Sequence, residues 1–137
     1  MTTVLQDWTR NTWNLTLSAW IVSLFATFGA LLIGEAMGQT PCVLCWYQRV
    51  FMFPIAIILG IGCFRSDSNV WRYALPLAAI GGLIALYHSG LYAGFISAPI
   101  EPCEQNGVSC SDSAMTLFGV IPIPFLSFGA FLAIVLL

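Results

Sequence analysis

The stretch Thr40-Pro41-Cys42-Val43-Leu44-Cys45-Trp46-Tyr47-Gln48-Arg49 joins a Cys-x-x-Cys pair to the head of an apolar run, with an arginine four residues past the second cysteine. Proline suits the last position before a helix or its first turn, so a helix is expected to start at Pro41 or Cys42. Cys42 then lies near a helix N-terminus, where unpaired N–H groups and the helix dipole favour a thiolate. Cys42 and Cys45 are three residues apart and share a face, close enough to make or break a disulfide. Arg49 lies one turn below Cys45 on that face. Its guanidinium keeps its charge and can stabilise a thiolate, or an electron-rich oxygen on a molecule docked beside the sulfur. The same residues also suit a structural disulfide with a snorkelling arginine.

What surrounds this stretch is overwhelmingly apolar. Of 137 residues, 59% are hydrophobic and 7% are charged, and the mean hydropathy is +0.91. A soluble domain carries about a quarter charged residues, so this composition cannot cover a soluble surface and a membrane protein is expected. The cations are Arg10, Arg49, Arg65 and Arg72, the net charge is -2, and there is no basic patch. No nucleic-acid partner is therefore expected. No A-x-A-like cleavage site follows the first apolar run, which reads as a retained span and not a signal peptide.

Four apolar runs, at roughly 20 residues per crossing, give the expected fold: an all-α membrane protein, a four-transmembrane-helix bundle in a single domain over 1–137. The spans are expected at about 15–34, 43–62, 73–95 and 121–137, with outer loops at 35–42 and 96–120. In the last run Pro122 and Pro124 leave about 16 residues, or ~24 Å of helix, short for a ~30 Å hydrocarbon core. The sequence stops on Ile134-Val135-Leu136-Leu137 with no polar residue, which suits a tail beyond it, and Ala114–Val120 is expected along the membrane surface. Arg10 precedes the first span and Arg65 and Arg72 lie between the second and third, while the other connections carry Glu35, Glu101, Glu104 and Asp112. Both termini and the 63–72 link are therefore expected in the cytoplasm. Cys42, Cys45, Cys103 and Cys110 then face the compartment where disulfides persist, and Cys63 the reducing one, as a small buried hydrophobe.

Two ionisable residues lie within the spans. Arg49 is about seven residues below the outer end of the second, and His88 is seven below Phe95 on the third, which runs the opposite way, so both are expected ~10 Å deep. Such residues are costly and usually face a bundle interior or a functional site, so one shared pocket is expected, with Gln48, Trp46, Tyr47 and Tyr87 at similar depth. The plainer alternative has Arg49 snorkelling outward and His88 bonding a neighbouring helix. Cys103 and Cys110 sit among Pro99, Pro102 and Gly107 in a segment that no helix fixes. They suit either a structural staple or a pair that exchanges with Cys42 and Cys45.

The order of a span, Pro-Cys-Val-Leu-Cys-Trp-Tyr-Gln-Arg, two further spans, a loop cysteine pair and a last span resembles the DsbB family of disulfide-bond formation proteins over essentially the whole chain. The short length and compact Cys103–Cys110 loop are similar to BdbC-type members. The resemblance implies a quinone-linked oxidase, using ubiquinone or menaquinone, that re-oxidises a thioredoxin-fold dithiol oxidase of the DsbA or BdbD type. It implies that Cys42 and Cys45 form the membrane-proximal pair with Cys45 next to the quinone. Cys103 would form the mixed disulfide with the partner and Cys110 would pass electrons to Cys42. Arg49, with His88 and Gln48, would border the quinone. The vitamin-K-epoxide-reductase-like family places its Cys-x-x-Cys after the loop pair, the reverse of the order here.

The residues agree with that implication. Two cysteine pairs hold electrons but cannot dispose of them, and no dinucleotide fingerprint, haem-attachment or flavin motif is present. A membrane-dissolved acceptor beside Arg49 and His88 is the remaining route. Two rivals stand against it: a non-enzymatic four-span scaffold stapled by two disulfides, and a metal site of four thiols, which the long second spacing and the oxidising side disfavour.

Overall fold

Two hydrogen bonds fix how the first two long helices run. Near the start of the first, Trp13 Nε1 donates to the carbonyl of Cys63 near the end of the second (3.3 Å). Near the start of the second, Arg49 Nη2 donates to the carbonyl of Ala30 near the end of the first (2.6 Å). The pair is antiparallel. In this computed structural model, which describes residues 2–36, 38, 42–97, 116–117 and 120–137, the helices are α1 (Thr2–Leu31), α2 (Val43–Arg65), α3 (Trp71–Tyr92) and α4 (Ile123–Leu136). A π-helical turn, Leu32–Ala36, prolongs α1. Each helix packs on the next in sequence, and α1 also meets α4.

Three of these helices, Arg10–Ala36, Val43–Arg65 and Trp71–Tyr92, are long and apolar enough to cross a membrane. The helix in the last apolar run is shorter. Pro122 caps α4 with extended backbone and Pro124 falls in its first turn, the two positions where proline costs no helical hydrogen bond. The 14 residues that follow make a rod of about 21 Å. Ahead of it, Thr116–Leu117 (β1) pairs antiparallel with Ile121–Pro122 (β2). A surface-lying segment was expected over Ala114–Val120; of its described residues, Thr116 and Leu117 form one strand of this small ribbon and Val120 lies in a turn before the other.

The bundle's interior is built from small residues on α3 facing larger ones. Ala74, Ala78, Gly81 and Ala85 recur at three- and four-residue intervals and are all buried. Phe131 of α4 fills the groove at Gly81, where a Cβ would collide with its ring. Ile55, Met52 and Leu59 of α2 complete the same core. Close approach over small residues is how helices associate when lipid gives no hydrophobic driving force. Large apolar side chains such as Phe25, Phe28, Phe64 and Leu83 point outward, as they do on a surface solvated by acyl chains.

The helix ends sort the polar residues. Arg10, Arg65 and Arg72 lie at one end of the bundle, and Cys42 and Cys45 at the other. The α3 helix stops earlier than the 73–95 expected: Gly94 takes a left-handed φ of 77°. Phe95 N then bonds Gly90 O and Gly94 N bonds Leu91 O, the double closure in which glycine's missing Cβ permits the turn. His88 is therefore about one helical turn from the end of its helix, and not two.

Candidate active site at Cys42 and Cys45

The site begins with a cap. Cys42 has extended backbone (φ -67°, ψ 167°) immediately before α2, and its sulfur accepts a hydrogen bond from the backbone N–H of Cys45 at 3.3 Å. Its carbonyl accepts from Trp46 N at 3.1 Å and so closes the first helical turn. A sulfur thus takes the place that a serine or aspartate oxygen usually fills. The same geometry brings the Cys42 and Cys45 sulfurs to 3.0 Å.

His88 closes the site from α3. Its Nε2 lies 3.7 Å from the Cys42 sulfur, and its Nδ1 lies 3.0 Å from Gln48 Nε2. An amide nitrogen only donates, so Nδ1 accepts and Nε2 carries the proton towards Cys42. All three side chains are buried, His88 fully (0% exposed) and Gln48 nearly so (5%). The Cys42 thiol, which precedes the apolar segment, falls from its ordinary value to about 5. The hydrogen bond from the Cys45 thiol is the largest cause, burial opposes it, and His88 and the Cys45 N–H add to it.

Arg49 stands on the other side. Besides its bond to Ala30 O, its guanidinium lies 5.5 Å from the Trp46 ring centroid. It also rests against Gly34 in the π-helical turn, where a Cβ would come within 2.9 Å of Nη2. Successive residues on a helix point about 100° apart. Gln48 therefore turns to α3 while Arg49 turns to α1.

Of the residues singled out from sequence, Cys42, Cys45, His88 and Gln48 form one cluster. Arg49 flanks it, and no hydrogen bond joins Arg49 to His88 among the described residues. Trp46 and Tyr47 are about half exposed. The Tyr87 hydroxyl is buried and has no hydrogen-bond partner among the described residues, and neither has Thr27 Oγ1. Cys103 and Cys110 lie outside the described residues. Ala30 and Thr27 had drawn no notice in the sequence. Gly34 marked only the end of an apolar run, and a backbone carbonyl carries no residue-type signal.

A family model, disulfide bond formation protein DsbB, matches residues 10–137. The chain belongs to the DsbB family. The chain is 59% identical over 126 residues to a probable disulfide formation protein of Metapseudomonas resinovorans, covering 92% of this chain and 88% of that one. It is 42% identical over 121 residues to the disulfide bond formation protein C of Bacillus subtilis, covering 87% and 86%. No solved structure matches. DsbB membership, with helices able to cross a membrane, makes this a membrane oxidoreductase of disulfide-bond formation. The only close thiol pair among the described residues of this DsbB-family chain is Cys42–Cys45, since Cys63 lies near the far end of α2.

Proposed function

We propose that the chain is a quinone-dependent thiol oxidase of the bacterial cytoplasmic membrane that re-oxidises an extracytoplasmic thioredoxin-fold dithiol oxidase of the DsbA or BdbD type. Electrons enter at Cys103–Cys110, pass to Cys42–Cys45 and leave to ubiquinone or menaquinone. The observation that carries this is the seating of two sulfurs 3.0 Å apart at the head of an apolar helix, between a buried imidazole and a fixed cation.

The exchange steps follow from thiol chemistry. A partner thiolate attacks the Cys103 sulfur of the loop disulfide and releases Cys110 as thiolate. The partner's second thiolate then attacks its own sulfur, completing the partner's disulfide and releasing Cys103. Cys110 attacks the Cys42 sulfur and releases Cys45; Cys103 then attacks Cys110, restoring the loop disulfide and releasing Cys42. Each step conserves one disulfide, and the sulfur that leaves best is the one whose thiolate is best stabilised. For Cys42 that stabilisation comes from the Cys45 N–H and His88 Nε2.

The residues present fit a quinone. Tyr87 offers a buried hydroxyl with no partner among the described residues, and such a donor is costly until an acceptor meets it. Arg49 offers a permanent cation, and the exposed rings of Trp46 and Tyr47 offer flat apolar surface. Arg49 and Tyr87 would hold the quinone oxygens, with His88 and Gln48 bordering them. A quinone bound there supplies the acceptor for two electrons and two protons.

All four helices, α4 included, cross the membrane in this reading, with both termini and the 66–70 turn in the cytoplasm and the cysteine pairs outside. Its basis is the gathering of Arg10, Arg65 and Arg72 at one end. Ser68 is exposed in that turn, so a Ser68→Cys chain lacking Cys63 should resist an impermeant maleimide in intact cells and react once the membrane is opened. Labelling in intact cells would invert the orientation.

The loop assignment has its own test. Cys103→Ser should end electron uptake from the reduced partner while Cys42–Cys45 stays a disulfide, read by alkylation and mass shift. A Cys103→Ser chain that oxidises partner at the normal rate would remove the role given to Cys103.

A further inference from the structure

We propose that the reduced Cys42–Cys45 pair, together with His88, is a binding site for a thiophilic divalent cation of the zinc class, and that the bound cation locks the chain in its reduced, inactive form. This rests on the reading that the pair cycles between disulfide and dithiol.

The donor set is already assembled. The Cys42 and Cys45 sulfurs and a ring nitrogen of His88 lie within 4.8 Å of one another. Two thiolates and one imidazole, with the fourth position open, is a recognised tetrahedral zinc set, with Zn–S near 2.3 Å and Zn–N near 2.0–2.1 Å. Those bond lengths require S···N separations of about 3.5–3.6 Å and S···S of about 3.8 Å. The Cys42 sulfur and His88 Nε2 are already 3.7 Å apart. The two sulfurs, 3.0 Å apart, need only separate by a fraction of an ångström, which rotation about the Cys45 Cα–Cβ bond provides.

Two further features favour the cation. Gln48 holds the far nitrogen of His88, the outer contact that orients a metal-bound imidazole. Ligation through Nε2 leaves the ring proton on Nδ1, and the Gln48 amide, turned over, presents its oxygen to accept it. Charge also balances: two thiolates neutralise a divalent ion where Cys42 and His88 are buried, so no net charge is added to a poorly hydrated site. The step is a proton exchange without electron transfer. Each sulfur ligates as a thiolate, any thiol proton it still holds leaving as its metal–sulfur bond forms, and the disulfide, which offers no thiolate, does not bind. While the cation stays, neither sulfur is free to be re-oxidised.

The test uses the full chain in lipid nanodiscs with Cys63, Cys103 and Cys110 replaced by serine, leaving Cys42 and Cys45 as its thiols. The pair is opened with a phosphine reductant, the reductant is removed, and cobalt(II) is titrated in, followed by zinc. The expected result is one cobalt per reduced chain, with visible bands of four-coordinate geometry and a thiolate charge-transfer band, both abolished by zinc. The oxidised chain should bind none. His88→Ala should weaken binding by tenfold or more, and Gln48→Leu by about 10- to 100-fold. Re-formation of the Cys42–Cys45 disulfide in each variant confirms that it folds. Absence of the bands, their survival in Cys42→Ser, or equal affinity in His88→Ala would overturn the proposal, the last by showing chelation by the dithiol alone. Because reduction is chemical, a reduced pair that binds cobalt but passes no electrons to added quinone sinks the earlier reading only, and one that reduces quinone but binds no cobalt sinks this one only.

Discussion

A Cys45→Ser chain is expected to fold, to react with its partner, and to deliver no electrons to quinone, with disulfide-generating turnover at the uncatalysed background. Serine matches cysteine in shape, and the backbone N–H that caps Cys42 belongs to residue 45 whatever its side chain. The start of α2 and the contact between Cys42 and His88 should therefore survive. What is lost is the sulfur that must leave when Cys42 is attacked and that must rejoin Cys42 when the pair is re-oxidised. Cys42 has only the loop sulfurs left to pair with, so a Cys42–Cys110 link should accumulate and be mapped by mass spectrometry of unreduced peptides. A Cys42→Ser chain should be equally inactive and show no such link. Wild-type turnover in Cys45→Ser would mean that the Cys-x-x-Cys pair is a staple, as in the scaffold alternative.

Arg49 should give a graded series. Negative charge develops on the acceptor oxygen in a site with little water, and a preorganised cation there acts more strongly than it would in solution. Removing one such donor typically costs about 100- to 1,000-fold, so Arg49→Gln should lower kcat/KM for quinone by about that amount. Lysine keeps the charge but not the planar fork that meets the Ala30 carbonyl, so Arg49→Lys should remain partly active with a raised KM for quinone. Exchange at Cys103 should be unchanged in both, read by trapping the mixed disulfide with partner. Folding should not suffer, since removing an intramembrane charge eases insertion. Quinone kinetics unchanged in Arg49→Gln would make Arg49 a snorkelling anchor.

The helical membrane class was legible because composition decides it: a chain with 7% charged residues has no other way to satisfy its backbone in lipid than by helices or a closed barrel. The closeness of the Cys42 and Cys45 sulfurs was legible because a three-residue spacing at a helix start constrains where two sulfurs go. Arg49 was legible as a cation but not in its direction. Its seat is the Ala30 carbonyl and the bare face of Gly34, neither of which announces itself as a site in a sequence. His88 was placed two turns from the end of its helix because the apolar run continues to Phe95, whereas the helix ends at Tyr92, one turn on, before Gly94 turns left-handed. That shorter helix raises His88 to the level of Cys42, and its bond to Gln48 ties α3 to α2. The pairing of Thr116–Leu117 with Ile121–Pro122 had no signal either, since two-residue strands leave no periodicity to read.

The central claim is that electrons from a protein dithiol reach quinone through Cys42 and Cys45. The most direct measurement mixes the chain, in anaerobic nanodiscs loaded with quinone, with a reduced thioredoxin-fold partner. Quinol formation is followed spectroscopically while acid-quenched samples report the state of each cysteine. The account predicts transient reduction of Cys42–Cys45 ahead of quinol, with one quinol formed per partner disulfide. Partner oxidation with Cys42–Cys45 a disulfide throughout and no quinol formed would contradict it.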